Sequence, residues 1–170
     1  MDLLVMSDSH GAGKRIDEII GRQIKKPDAI LFLGDGLRDI AYAERDGITL
    51  FAVCGNNDLY PLIKGTEVPE ELIFTLDRYK IMMVHGHRHR VKICLEYLLS
   101  RAAENDVDIV LYGHTHERHE EIVGPDNRYG IKVNKPIYVM NPGAVGDYVS
   151  SFGTISIDKS GRILLSHGEL

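Results

Sequence analysis

The chain has 170 residues, 44% of them hydrophobic and 26% charged, with a formal net charge of -5. That length suffices to close one sizeable core, so a single domain over residues 1–170 is expected, with the composition of an ordinary soluble globular protein. The acidic balance argues against general nucleic-acid binding, which needs a strong basic patch, but leaves open a nucleotide-like small substrate.

No apolar run approaches the roughly 20 residues of a membrane helix, so no membrane partner is expected. The sequence starts at once with the strand-like Leu3-Leu4-Val5-Met6, without the charged region or cleavage site of a signal peptide. Cys54 and Cys94 lack paired spacing and fit a reducing compartment, so a cytoplasmic location is expected. Cys54 reads as a buried thiol at a strand end.

In chain order, Leu3 to Ser7 reads as a strand. Ile16, Ile19, Ile20 and Ile24 fall at helical spacing and predict a helix from about Lys14 to Lys25. Ala29 to Leu33 is a continuous apolar run, the pattern of a strand buried on both faces. A short helix over Leu37 to Arg45 and a strand over Ile48 to Val53 follow. This β-α-β-α-β order implies parallel pairing.

Tyr60 to Glu70, with two prolines and a glycine, reads as a loop. Leu72 to Leu76 and Lys80 to Val84 form a hairpin across Asp77-Arg78-Tyr79. Val91, Cys94, Leu95, Leu98, Leu99 and Ala102 keep a helical stripe, and Val107 to Tyr112 is another buried strand. Beyond Gly113, short strands between turn clusters read as antiparallel, and they offer exposed edges through which a homo-oligomer could form. The expected fold is α/β: a two-sheet β-sandwich flanked by helices on both faces.

Five short segments stand at the ends of these strands: Asp8-Ser9-His10, Gly34-Asp35, Gly55-Asn56-Asn57-Asp58, His85-Gly86-His87 and Gly113-His114-Thr115-His116. Taken singly, each has a bland reading as a helix cap, a turn or a solvated loop. Jointly they are hard to obtain by chance, because sites in open α/β sheets form at the carboxyl ends of strands. Imidazole nitrogen mixed with carboxylate and amide oxygen suits Mn²⁺, Fe, Ni²⁺ or Zn²⁺. The glycines allow close backbone approach. His89, His119 and His167 lack supporting context: His89 reads as part of a polar loop, the other two as surface residues.

The set resembles the calcineurin-like metallophosphoesterase superfamily, which carries D-x-H, G-D, G-N-x-D, a strand-terminal histidine followed by glycine, and G-H-x-H, in this order. The short length and the late Met140-Asn141-Pro142-Gly143-Ala144-Val145 segment are similar to the small phosphodiesterase branch related to the retromer subunit. The resemblance implies a four-layer αββα fold and two divalent metal ions, manganese first among Mn, Ni, Fe, Zn and Mg. It implies one ion on Asp8, His10, Asp35 and His116, and a second on Asp35, Asn56, His85 and His114, with Asp35 bridging. Two such ions about 3.5–4 Å apart activate a shared water and clamp a phosphoryl group.

One position departs from the family. Many members have histidine where this chain has Asn57, and that histidine is credited with protonating the leaving group. An amide cannot donate a proton at useful acidity. Asp58, which orients that histidine in those members, loses its partner, and His87 becomes the candidate acid. The expectation is a metal-dependent phosphodiesterase acting on small phosphodiesters with good leaving groups. The alternatives are a phosphomonoesterase or nucleotidase on the same metals, and a non-catalytic protein-interaction scaffold. A scaffold need not keep metal ligands, and here every ligand position is filled.

Overall fold

The structure is a computed structural model and describes residues 1–43 and 47–170. In chain order the elements are β1 (Asp2–Met6), α1 (Gly13–Gly21), β2 (Ala29–Phe32), α2 (Leu37–Tyr42), β3 (Thr49–Ala52), β4 (Leu62–Ile63), β5 (Thr66–Glu67), β6 (Glu71–Leu76), β7 (Tyr79–Val84), α3 (Glu96–Glu104), β8 (Ile109–Tyr112), β9 (Arg118–Val123), β10 (Ile137–Pro142), β11 (Ser151–Ile157) and β12 (Ile163–Glu169). One five-stranded sheet has the order β12-β11-β1-β2-β3 and the other β6-β7-β8-β10-β9, while β4 and β5 form a separate hairpin.

The period-2 alternation of side chains explains why the apolar runs are continuous. Leu3, Val5, Ala29, Leu31 and Leu33 of the first sheet meet Ile81, Met83, Ile109 and Leu111 of the second in the central layer. The intervening Leu4, Met6, Ile30 and Phe32 turn outward beneath Ile16 and Ile19 of α1 and Leu37 and Ile40 of α2. Met82, Val84, Val110 and Tyr112 likewise face Leu98, Leu99 and Ala102 of α3. Strands covered on both sides cannot alternate apolar with polar, and each fully buried aliphatic contributes about 1.5–3 kcal/mol. The result is helix, sheet, sheet, helix, as the sequence implies.

Several elements differ from the expectation. α1 ends at Gly21, so Ile24 leaves the helical stripe and is fully exposed. Glycine is a poor helix former, and Arg22 closes the helix through its backbone N–H. α2 ends at Tyr42, and the expected continuation to Arg45 falls outside the described residues. α3 starts at Glu96, yet Val91 and Leu95 still pack on the same cluster from the turns before it. The loop at Tyr60 to Glu70 contains the β4–β5 hairpin. In the tail, β9 and β12 pair antiparallel with β10 and β11 as expected, but β10 runs parallel to β8. No helix among the described residues is long and apolar enough to cross a membrane.

What matters for the site is that β1, β2 and β3 are mutually parallel, as are β7, β8 and β10. The carboxyl ends of both parallel sets open on one edge of the sandwich.

Candidate metal centre

Asp8 and His10 follow β1, Asp35 follows β2, Asn56 to Asp58 follow β3, His85 follows β7, and His114 and His116 follow β8. The backbone is bent sharply at these points. Among the described non-glycine residues with positive φ are Asp8 (54°), His10 (45°), Asp35 (54°), His114 (69°) and His116 (62°). Such conformations cost free energy and persist only where the surroundings impose them. Here they turn consecutive side chains off the strand direction towards a common point.

Two groups of donors result. Asp8, His10 and His116 each place one ligand atom within 4.8 Å of the others, and so do Asp35, His85 and His114. His10 Nε2 lies 3.3 Å from His116 Nε2, and Asp8 Oδ1 lies 3.8 and 3.3 Å from those two atoms. Asp35 Oδ2 stands between the groups, 3.9 Å from His10 Nε2 and 3.3 Å from His85 Nε2. Donors bound to one ion at about 2.0–2.2 Å lie about 2.8–3.6 Å apart, so most of these spacings already suit a shared cation. Asp8 Oδ1 and His85 Nε2 are buried without a hydrogen-bond partner among the described residues. Unsatisfied buried polar atoms are costly, and a cation in each donor group would satisfy one of them. The residues present therefore fit divalent metal.

The electrostatics agree. Burial lowers the His85 pKa, but the close Asp35 carboxylate, the charge of Asp8 and the Leu33 carbonyl more than reverse this and raise it. Burial pushes Asp35 up, yet His85 and the Asn57 donors hold it well below the usual carboxylate range. Both shifts mark a pocket that attracts positive charge. Burial first, then the neighbouring charges of His85 and Lys92, bring His114 down to about 4, so its ring is neutral near pH 7. Neutral imidazole is the form that binds metal.

The surrounding shell fixes each donor. His85 Nδ1 lies 2.8 Å from Leu33 O, which sets that nitrogen as the N–H and leaves Nε2 free. Asp8 Oδ2 accepts from Ser7 Oγ at 2.5 Å and from His114 N at 3.0 Å. Asp8 is thus not a cap: α1 has no side-chain cap. A Cβ at Gly113 would lie 2.0 Å from Ser7 Oγ, and the close backbone approach expected of the motif glycines is present.

The third segment works differently from its expected role. Asn57 donates from its backbone N to Asp35 Oδ1 at 2.7 Å and from Nδ2 to Asp35 Oδ2 at 2.6 Å. Asn56 is exposed in the turn beside it. The Asp58 carboxylate, expected to have lost its partner, accepts the backbone N–H groups of Asp35, Gly36, Leu37 and Gly55 at 2.8–2.9 Å. It ties the β2 and β3 loops together and holds Asp35 in place. His87 lies at the rim, its ring 5.6 Å from His85 and 6.1 Å from His114. Burial and the neighbouring His85 lower its pKa, and its Nδ1 is buried without a partner among the described residues.

The other histidines are more engaged than the sequence suggests. His89 is buried and pairs with Glu71 at 3.3 Å. His119 Nδ1 meets Tyr112 Oη at 2.9 Å, and His167 Nε2 meets Asn141 O at 2.8 Å, and both rings are half-buried. Cys54 is buried and Cys94 partly so, both as free thiols.

Sequence reasoning missed Asp147. Its Oδ1 lies 3.0 Å from His116 Nδ1, and the same loop is held by Arg15 of α1 through the carbonyls of Val145 and Asp147. A carboxylate behind a ligating imidazole orients the ring and raises its basicity. Asp147→Ala should weaken metal binding about 10–100-fold, measured by calorimetric titration with Mn²⁺. Unchanged affinity would remove Asp147 from the site.

Residues 1–160 match the calcineurin-like phosphoesterase superfamily domain. The chain is 28% identical over 123 residues to a probable metallophosphoesterase of Bacillus subtilis, covering 72% of this chain and 69% of that protein. It is 25% identical over 170 residues to a phosphodiesterase of Methanocaldococcus jannaschii, covering 92% of each. Among solved structures it superimposes on a conserved Streptococcus pneumoniae protein described as a predicted phosphoesterase, with TM-score 0.70, 24% identity and coverage of 99% of this chain and 97% of that one. The structure of Vacuolar Protein Sorting 29 from Cryptosporidium parvum has the same fold, with TM-score 0.71, 16% identity and the same coverage. With the family match running over nearly the whole length, the chain belongs to the calcineurin-like phosphoesterase superfamily.

Proposed function

We propose that this protein is a metal-dependent phosphodiesterase. The observation that carries the reading is the pair of donor groups meeting at Asp35, built from strand-end residues of which all but His85 are held at positive φ. One ion would be held by Asp8, His10, Asp35 and His116, the other by Asp35, Asn56, His85 and His114. Manganese is our first choice, and nickel, iron, zinc or magnesium would also suit this donor set. When bound, the ions supply the charge that clamps a phosphoryl group and lowers the pKa of a water nucleophile.

The protein's own contribution is to orient and to withhold. Asp35 sets the spacing, and Asn57 and Asp58 hold Asp35. Because the Asn57 amide is committed to that carboxylate, it neither donates a proton nor turns readily to a substrate. His87, at the rim, is the residue proposed to protonate the leaving oxygen. Without a strong acid in the Asn57 position, substrates whose leaving groups need no protonation are favoured.

Aryl phosphodiesters should therefore be cleaved faster than alkyl phosphomonoesters. The test is hydrolysis of bis-p-nitrophenyl phosphate against p-nitrophenyl phosphate and an alkyl monoester by metal-stripped protein, with Mn²⁺, Ni²⁺, Mg²⁺ and Zn²⁺ added back in turn. Equal or faster turnover of the alkyl monoester would make the protein a phosphomonoesterase or nucleotidase. No cleavage with any ion would leave a scaffold role.

A further inference from the structure

We propose that the cleft between α2 and the β4–β5 hairpin binds a nucleoside carried on the scissile phosphate, so that the substrate class is nucleotidyl phosphodiesters. This rests on the phosphodiesterase reading and narrows it. The cleft has a volume of about 680 Å³, within the range of small-molecule sites. Asn57 lines the cleft and donates to Asp35, so the cleft adjoins the metal centre.

The lining has a nucleotide's chemistry. Tyr42, Leu59 and Tyr60 are 83%, 84% and 85% exposed, a concentration of apolar surface with nothing packed upon it. Such surface beside a site is best explained by a ligand that covers it. Tyrosine rings offer faces on which a base stacks. Arg38 stands one helical turn before Tyr42 on the same face of α2, and Lys64 reaches in from the β4–β5 turn. Neither cation has a hydrogen-bond or ion-pair partner among the described residues, although the chain as a whole is acidic. The one carboxylate among the described lining residues, Asp58, accepts four backbone N–H groups and pairs with neither cation. Aromatic faces with two unpaired cations fit a base, with a further phosphate on its sugar.

The test compares three p-nitrophenyl diesters with the same leaving group, using the Mn²⁺-loaded protein. They are methyl p-nitrophenyl phosphate, thymidine 5′-(p-nitrophenyl phosphate), and the latter bearing a 3′-phosphate. Efficiency should rise along the series, by on the order of ten-fold at the step that adds the nucleoside. Tyr42→Ala with Tyr60→Ala should remove the nucleoside step, and Arg38→Ala with Lys64→Ala the 3′-phosphate step. Equal efficiency on all three, or equal losses on all three in the variants, would overturn the subsite and leave the phosphodiesterase reading intact. If no diester is cleaved, that reading fails, and calorimetric titration with thymidine 3′,5′-bisphosphate decides the subsite. Binding lost in the Arg38/Lys64 variant would uphold it, and no binding by the parent would end it.

Discussion

Replacing Asp35 by asparagine should strip metal from both donor groups at once and lower kcat/KM on bis-p-nitrophenyl phosphate by on the order of 10³-fold. The argument is one of oxygens. Asp35 Oδ1 accepts the Asn57 backbone N–H, while Oδ2 accepts Asn57 Nδ2 and faces His10 Nε2 and His85 Nε2. An amide has only one acceptor oxygen. If that oxygen keeps the metal-facing side, the new NH₂ confronts the Asn57 N–H. If it turns round, the NH₂ confronts Asn57 Nδ2 and the place where cations would sit. Neither orientation preserves the pocket, and the variant also loses the charge that attracts metal. His116→Ala should behave differently, weakening mainly the group of Asp8 and His10. Metal content by elemental analysis and turnover decide the matter, with thermal melts of the metal-free proteins to show that both variants fold. Full metal content and turnover in Asp35→Asn would refute the bridging assignment.

The difference between what could be read early and what could not lies in distance along the chain. Asp8, Asp35, His85 and His114 were legible because each sits within three residues of a buried apolar run, and such runs end where a parallel sheet presents its sites. The layering was legible too, since a strand such as Ala29–Phe32 with no polar residue must be covered on both faces. Asp147 was not, because its contact with His116 spans 31 residues and its own loop carries no metal-like spacing. The role of Asp58 was half visible. Its bond to Gly55 N is a local turn, but the donors from Asp35, Gly36 and Leu37 come from 21 to 23 residues earlier. The parallel pairing of β8 with β10 was hidden because β9 occupies their crossover, where a helix is the usual signal, and then pairs antiparallel on the far side of β10. Similarly, the G-N-x-D spacing separates Asn56 from Asn57 but does not tell which amide meets Asp35, which only the turn geometry shows.

The second large effect is expected from a residue with no side chain. A Cβ added at Gly55 would stand 2.1 Å from Asp35 Oδ1 and 2.6 Å from Asp35 N. The carboxylate oxygen could swing away, but the backbone nitrogen cannot, because it donates to Asp58 Oδ2 at 2.8 Å. Nor can the β3 loop retreat without pulling the Asp58 carboxylate, bound to Gly55 N in the same turn, away from the backbone N–H groups of Asp35, Gly36 and Leu37. Gly55→Ala must therefore either separate the two loops or displace the Asp35 carboxylate. Overpacking of this kind costs about 1–3 kcal/mol, which in a chain of this size lowers Tm by about 2–4 °C per kcal/mol. Misplacing a reacting group by about 1 Å costs about 10²-fold in rate. Gly124→Ala is the control: a Cβ there meets nothing within 4 Å, and it should change stability by no more than about 0.5 kcal/mol. The comparison separates two accounts of the glycine in this motif. If it served only as a permissive turn residue, Gly55→Ala would cost some stability and leave metal affinity and turnover near the parent's. If the two loops must touch for Asp35 to stand between the donor groups, metal affinity and turnover fall together, and adding Mn²⁺ restores little of either.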